Sequence, residues 1–179
     1  MNILETERLS LREMSSAGDA EFILELLNTP KFIKYIGDRG VRSFEQARDF
    51  IEARYLQSYR EHGFGLYAVE LKPENALTKV RASAQELIGI CGFVKRDELP
   101  DPDIGFAFLP EFEGKGYGFE SAEAAIRYGR HVLGFSRLLA ITSQDNEISG
   151  KLLEKLGFAY ERIITMPDGE ELKLFAKHL

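Results

Sequence analysis

A chain of 179 residues can bury a sizeable single core but is too short for two independent ones, so one domain over residues 1–179 is expected. A hydrophobic fraction of 44% and a charged fraction of 29% exclude disorder as the overall state. The net charge is -6 and the basic residues are dispersed, which leaves no stripe to follow a phosphate backbone, so nucleic acid is not an expected partner. The acidic balance is compatible with a cationic amine ligand but does not single one out.

The first residues, Met1 to Arg8, contain acidic groups and no long apolar core, so they read as neither a signal peptide nor a membrane span, and no membrane association is expected. Alternation of Leu9 and Leu11 within Arg8 to Arg12 predicts a first strand. Ser16 followed by Asp19 reads as a capping box before a helix with Phe22, Ile23, Leu26 and Leu27 on one face, stopped by Pro30. A second box, Ser43 with Gln46, predicts a longer helix carrying Ala47, Phe50, Ile51 and Tyr55 on one side and ended by Gly63.

Gly65 to Leu71 and Leu87 to Val94 read as the next strands, joined from Lys72 to Gln85 by a long polar hairpin connection expected to be mobile. Cys91, the single cysteine, falls within the second of these apolar runs. It reads as a buried structural thiol, and a reducing cytoplasm fits.

Asp103 to Leu109 predicts a strand ended by Pro110, with Ile104, Phe106 and Phe108 on one face. The other face, Gly105, Ala107 and Leu109, begins nearly bare. Either a ligand or backbone approaches it closely, or it packs tightly against a neighbour. A helix from Phe119 to about Leu133, a strand from Arg137 to Thr142 and a helix from Asn146 to Leu156, with Ile148, Leu152 and Leu156 on one face, follow. Tyr160 to Met166 and Leu172 to Ala176 complete a hairpin around Pro167, Asp168 and Gly169. The sum is an α/β domain built on a mixed sheet.

The segment Glu113-Gly114-Lys115-Gly116-Tyr117-Gly118 carries the chemistry. Three glycines in five residues allow positive φ and leave successive amides uncovered, and the helix that follows adds unpaired N–H groups and a favourable dipole. Such a cradle suits a pyrophosphate. A purely structural connection is the alternative reading of this segment alone. The glycine order fits neither a P-loop, which needs Lys-Ser/Thr after the last glycine, nor the Gly-x-Gly-x-x-Gly of a dinucleotide fold.

This loop resembles the acyl-CoA pyrophosphate loop of the GNAT superfamily, Gln/Arg-x-x-Gly-x-Gly/Ala, with Gly116 and Gly118 at the two small positions. Glu113 departs from the pattern's first residue and is expected to turn outward. The run from Asn146 through Ser149 to Phe158 is similar to the same family's Asn-x-x-Ser…Glu-Lys-x-Gly-Phe signature. Thr6-Glu7-Arg8-Leu9-Ser10-Leu11-Arg12 and Asp103-Ile104-Gly105-Phe106 resemble its RimJ/RimL-type branch, which acetylates protein N-termini among other amines.

The resemblance implies a mixed, mostly antiparallel twisted sheet with helices on both faces, in which two parallel strands, Asp103 to Leu109 and Arg137 to Thr142, splay apart. It implies that pantetheine inserts there, pairing with the main chain around Phe108 and Leu109, and that Asn146 binds the same arm as well as capping its helix. It also implies acetyl-CoA as co-substrate without a metal, a primary amine as acceptor, either a protein N-terminus or a small molecule, and a chain that can pair as a homodimer.

Direct attack by a neutral amine needs no covalent enzyme intermediate, so Cys91 is not required as a nucleophile. Many relatives place a tyrosine acid in the last helix, and here Leu153 stands at that position. Ser149 is the expected substitute, against its plain reading as a first-turn polar residue. Asp103 is the expected base, against its reading as a solvated strand-end carboxylate, and Glu13, Glu161 and Asp168 stay open. His62, His131 and His178 read as surface or packing residues. A non-catalytic acyl-CoA-binding or regulatory domain is the competing class.

Overall fold

The computed structural model of the protein describes residues 2–73 and 86–179. An eight-stranded sheet forms the frame: β1 (Asn2–Glu5), β2 (Leu9–Arg12), β3 (Leu66–Leu71), β4 (Glu86–Val94), β5 (Asp103–Phe108), β6 (Arg137–Ser143), β7 (Ala159–Thr165) and β8 (Glu171–His178), in the spatial order β1-β2-β3-β4-β5-β6-β8-β7. Every neighbouring pair is antiparallel except β5 and β6. The expected connection from Lys72 to Gln85 lies outside the described residues apart from Lys72 and Pro73.

The helices are α1 (Ala20–Leu27), α2 (Pro30–Tyr35), α3 (Phe44–Phe50), α4 (Gln57–His62), α5 (Tyr117–His131) and α6 (Glu147–Lys155). Helices α3 and α4 are one continuous rod joined by a π-helical stretch, Ile51–Leu56, a wider turn that periodicity alone does not reveal. Its start is the expected one, with Ser43 accepting from the Gln46 amide at 3.2 Å, and Gly63 ends it at φ 75°. The main core runs from Leu9 and Leu11 through Ile23, Ile51, Tyr67 and Phe93 to Leu138 and Phe158, and a smaller cluster gathers Leu99, Leu139, Leu174 and Ala176.

Local signals misplace several boundaries. Strand β1 precedes the expected first strand and forms the sheet edge. Asp19, not Ser16, stands at the N-cap of α1. Its carboxylate is drawn instead into a bidentate pair with Arg12 at 2.8 Å, while Ser16 donates to Glu52. Pro30 does not stop α1, which already ends at Asn28; it opens α2, where its missing N–H costs nothing. Helix α5 begins two residues before Phe119 because Gly116, at φ 84°, turns the chain into it. In α6 the buried residue is Leu153, followed by the buried Leu156 at its C-cap, whereas Ile148 is 75% exposed.

Among the described residues no helix is long and apolar enough to cross a membrane, and no group of His, Cys, Asp and Glu could hold a metal ion.

Candidate active site

Strands β5 and β6 meet at a single residue pair, Asp103 with Leu139, where the Leu139 amide donates to the Pro102 carbonyl at 3.0 Å. Beyond that point they separate. Each is held on its outer edge, β5 by β4 along its whole length and β6 by β8 from Arg137 to Ser143, so the gap is fixed from both sides. The Leu109 amide donates to Ile88 at 2.9 Å, which fixes the alternation of the β4–β5 ladder and turns the main-chain groups of Phe106 and Phe108 toward the gap. The main-chain groups of Phe108 thus face the gap, whereas the Leu109 N–H is taken by Ile88 and its carbonyl accepts from Phe112.

The gap opens into a cleft of about 1310 Å³. Gly105 lines it, yet a Cβ there would come within 3.3 Å of a Leu66 methyl, so close packing accounts for this first bare position of β5. The Thr142 hydroxyl on β6 is buried, has no hydrogen-bond partner among the described residues, and also belongs to the cleft wall.

At the open end of the gap, Pro110–Phe112 forms a turn and the glycine segment leads into α5. Gly114 (φ 70°) and Gly116 (φ 84°) both adopt the left-handed conformation. No side chain caps α5, and the amides of Tyr117, Gly118 and Phe119 have no carbonyl to meet within the helix. A Cβ at Gly114 would meet nothing within 4 Å. Gly118 has a packing role, since a Cβ would lie 3.3 Å from Leu152 and 3.7 Å from Phe108.

A clamp from the far side of the sheet sets the orientation of this loop, and the sequence reading missed it. Glu120 accepts from the Thr6 hydroxyl at 2.6 Å, the Arg8 amide at 2.9 Å and Arg8 Nε at 2.6 Å. Arg8 also donates to the Lys115 carbonyl at 3.0 Å and lies 4.5 Å over the Tyr117 ring. In a trans peptide the carbonyl and the following N–H point in opposite directions, so holding Lys115 O back turns the Gly116 N–H outward. Burial alone would raise the Glu120 carboxyl, but the hydrogen bonds from Thr6 and Arg8 hold it below the usual carboxylate range. The signal lay in Thr6 and Arg8, whose shared partner is 114 and 112 residues away in the chain.

Glu113 does not turn freely outward; it pairs with the Lys31 ammonium of α2, and both line the cleft. Lys31 thus brings a cation to the loop's first position. The side chain of Lys115 is exposed, near the Phe112 ring.

Asn146 caps α6, accepting from the Ser149 amide at 3.2 Å. Both residues line the cleft, and among the described residues the Ser149 hydroxyl has no hydrogen-bond partner. Leu153 is 1% exposed and packed in the core, so the helix offers no acid from that position. Asp103 lies at the closed end of the gap, 2% exposed, with Oδ1 accepting from Arg96 Nε at 2.9 Å. Burial outweighs Arg96 and pushes the Asp103 carboxyl up to about 6. Asp103 does not itself line the cleft; Arg96 does.

The other carboxylates weighed as the base stand apart from the cleft. Glu161 pairs with Arg137 and Arg162, Asp168 accepts from Glu170 in the β7–β8 turn, and Glu13 is half-buried elsewhere. Of the histidines, only His62 reaches the cleft. The Cys91 thiol is buried, and burial pushes it up to about 12 against a smaller opposing effect of Ser121, so it is no nucleophile at neutral pH.

Comparison with known proteins joins this geometry to a family. Residues 8–159 match the acetyltransferase (GNAT) domain family. An uncharacterised N-acetyltransferase of Bacillus subtilis, YoaA, is 32% identical over 163 residues, 90% of this chain and 85% of that protein. The spermidine N(1)-acetyltransferase of Escherichia coli is 26% identical over 143 residues, 80% of this chain and 69% of its own length. Among solved structures, RimL, a ribosomal L7/L12 alpha-N-protein acetyltransferase in complex with coenzyme A, superposes with a TM-score of 0.77 at 16% identity, covering 100% of this chain and 98% of that one. That likeness concerns the fold.

Proposed function

The chain belongs to the GNAT acetyltransferase family, and from that premise we propose that it moves an acetyl group from acetyl-CoA to a primary amine by direct attack within the β5–β6 gap. The observation that carries this reading is the separation of two parallel strands after one residue pair, beside a loop whose amides are uncovered. The donor supplies an activated acyl thioester. The chain's own residues fit it: the amides of Gly114 to Phe119 and the α5 dipole suit the pyrophosphate, Lys31 offsets the charge of Glu113, and the main chain of Phe106 and Phe108, with Asn146, faces the pantetheine path. A neighbour of the same fold holding coenzyme A supports the assignment.

In the reaction the amine nitrogen bonds to the acyl carbon, the carbon–sulfur bond breaks, one proton leaves the nitrogen and the sulfur receives one. The Ser149 hydroxyl, unpartnered at the cleft wall, is proposed to donate to the sulfur. Asp103 is proposed as the proton acceptor, by way of intervening solvent, because burial gives it basicity near neutral pH at the closed end of the gap. Its Oδ1 is already occupied by Arg96, so the proton goes to the other oxygen. The buried Cys91 fits a reducing, cytoplasmic setting.

One observation favours a second reading, a domain that binds acyl-CoA without catalysis: Leu153 fills the core where relatives carry a tyrosine. Release of coenzyme A thiol from acetyl-CoA in the presence of N-terminal peptides, polyamines, amino acids or aminoglycosides separates the two. Amine-dependent release is expected with at least one class, and coenzyme A binding without release from any of them would favour the second reading.

A further inference from the structure

The end of the cleft remote from the glycine loop concentrates positive charge. Arg39 follows α2, Arg54 lies in the π-helical stretch and Arg96 follows β4, and all three line the cleft beside the closed end of the strand gap. Among the described residues only Arg96 of the three has a carboxylate partner, the buried Asp103. Among the described residues Arg39 makes one long hydrogen bond, 3.4 Å to the Ile36 carbonyl, and Arg54 has no ion pair. Arg39 and Arg54 are exposed to the cleft, and Arg39 feels both neighbours: partial burial lowers its pKa, the charge of Arg96 lowers it further, and that of Arg54 adds a smaller effect in the same direction.

Other charged groups at this end do not neutralise the trio. Tyr55 acts on Arg39 in the opposite sense more strongly than Arg54 does, but burial raises its hydroxyl so that it carries no charge at neutral pH; Glu170 opposes least, and Glu61 lines the cleft beside His62. Lys95 adds a further cation, its ammonium turned toward the carbonyls of Arg96 and Leu99. Like charges gathered in a cleft repel, and the repulsion is relieved when a ligand brings the opposite charge. Guanidinium groups match carboxylate and phosphate in shape as well as sign.

We infer that the acceptor is an amine carrying an anionic group, a carboxylate or a phosphate, and that Arg39 and Arg54 receive that group while the amine faces the thioester. The inference rests on the acetyltransferase reading and narrows its substrate class. It excludes a polycation as the preferred acceptor, although the chain as a whole is acidic. The same cations disfavour an ammonium beside them and so help to present the amine in its neutral, nucleophilic form.

The test compares matched acceptors with the intact protein, each pair assayed at equal fractions of neutral amine: phenylalanine against phenylalaninamide, phosphoethanolamine against ethanolamine, and spermidine as the cationic arm. In at least one pair kcat/KM for the anionic member should exceed that of its neutral partner by roughly tenfold or more. The two pairs distinguish carboxylate from phosphate. In the double variant Arg39→Gln with Arg54→Gln the ratio should fall toward one, while coenzyme A affinity by calorimetry stays unchanged. Equal or better use of neutral amines or spermidine by the unmodified protein, or an undiminished ratio in the double variant, overturns the inference and leaves the acetyltransferase reading standing. Absence of thiol release with every amine overturns both.

Discussion

Asp103 and Ser149, the two residues proposed for proton transfer, face opposite constraints. Asp103 is buried under Arg96 with its carboxyl pushed up to about 6, above the ordinary aspartate value of 3.8. Folding therefore favours its protonated form. The stability this contributes is complete below the unfolded pKa and is lost as pH rises through about 6, an effect of about 3 kcal/mol. Asp103→Asn mimics the protonated state at every pH, and Arg96, at 30% side-chain exposure, stays solvated without its partner. Urea unfolding between pH 4 and 8 should accordingly show the wild type losing about 2.5 kcal/mol relative to the variant, the remainder being lost already below pH 4. Parallel curves would mean that Asp103 is not so perturbed.

Ser149 is half-buried at the start of α6 and structurally uncommitted through its hydroxyl, its amide being held by Asn146. Ser149→Ala should therefore leave the fold and coenzyme A affinity intact while lowering kcat by roughly a hundredfold, the lower range of general-acid contributions. Unchanged steady-state kinetics would remove the hydroxyl from the reaction.

Between elements, the clamp that joins the segment before β2 to the glycine loop makes the sharpest demand. Arg8 reaches Glu120, the Lys115 carbonyl and the Tyr117 ring together, so Arg8→Ala should let the loop amides lose their common orientation. Acetyl-CoA affinity is expected to fall about tenfold with kcat little altered, and stability to fall by about 1–3 kcal/mol because Glu120 loses partners while half-buried. Affinity measured by calorimetry that matches the wild type would reduce the clamp to a purely structural contact. Gly116→Ala should act on the same loop from within. Its φ of 84° would cost an alanine about 1–2 kcal/mol, and the new Cβ would press on Arg8 at 3.2 Å.

What could be read from sequence follows the range of the interaction. Gly63, Ser43 with Gln46, and the glycines of the loop announce themselves within a few residues, because cap and turn chemistry is local. Asp19 deceived for the opposite reason: its carboxylate serves Arg12, seven residues back, and its helix starts without a side-chain cap. Arg8 with Glu120 and Lys31 with Glu113 lie 112 and 82 residues apart, beyond any local pattern. The commitment of Leu109 to Ile88 depends on ladder alternation, which only the sheet register reveals. The strand gap itself was legible only through resemblance.

Across the whole molecule, the sheet works as two antiparallel plates, β1 to β5 and β6 to β8, joined at Asp103 and Leu139 and separated beyond. The glycine loop and the start of α6 lie at the open end, and the arginines at the closed end. Donor and acceptor would approach the same gap from opposite ends, so that the reacting atoms would meet between Ser149 and the last paired residues.

A coenzyme A titration followed by amide-resolved nuclear magnetic resonance tests this arrangement most directly. The account predicts saturable shifts concentrated at the amides of Gly114 to Phe119 and along Phe106, Phe108 and the facing part of β6. Absence of saturation, or shifts confined to surfaces away from the gap, would contradict it.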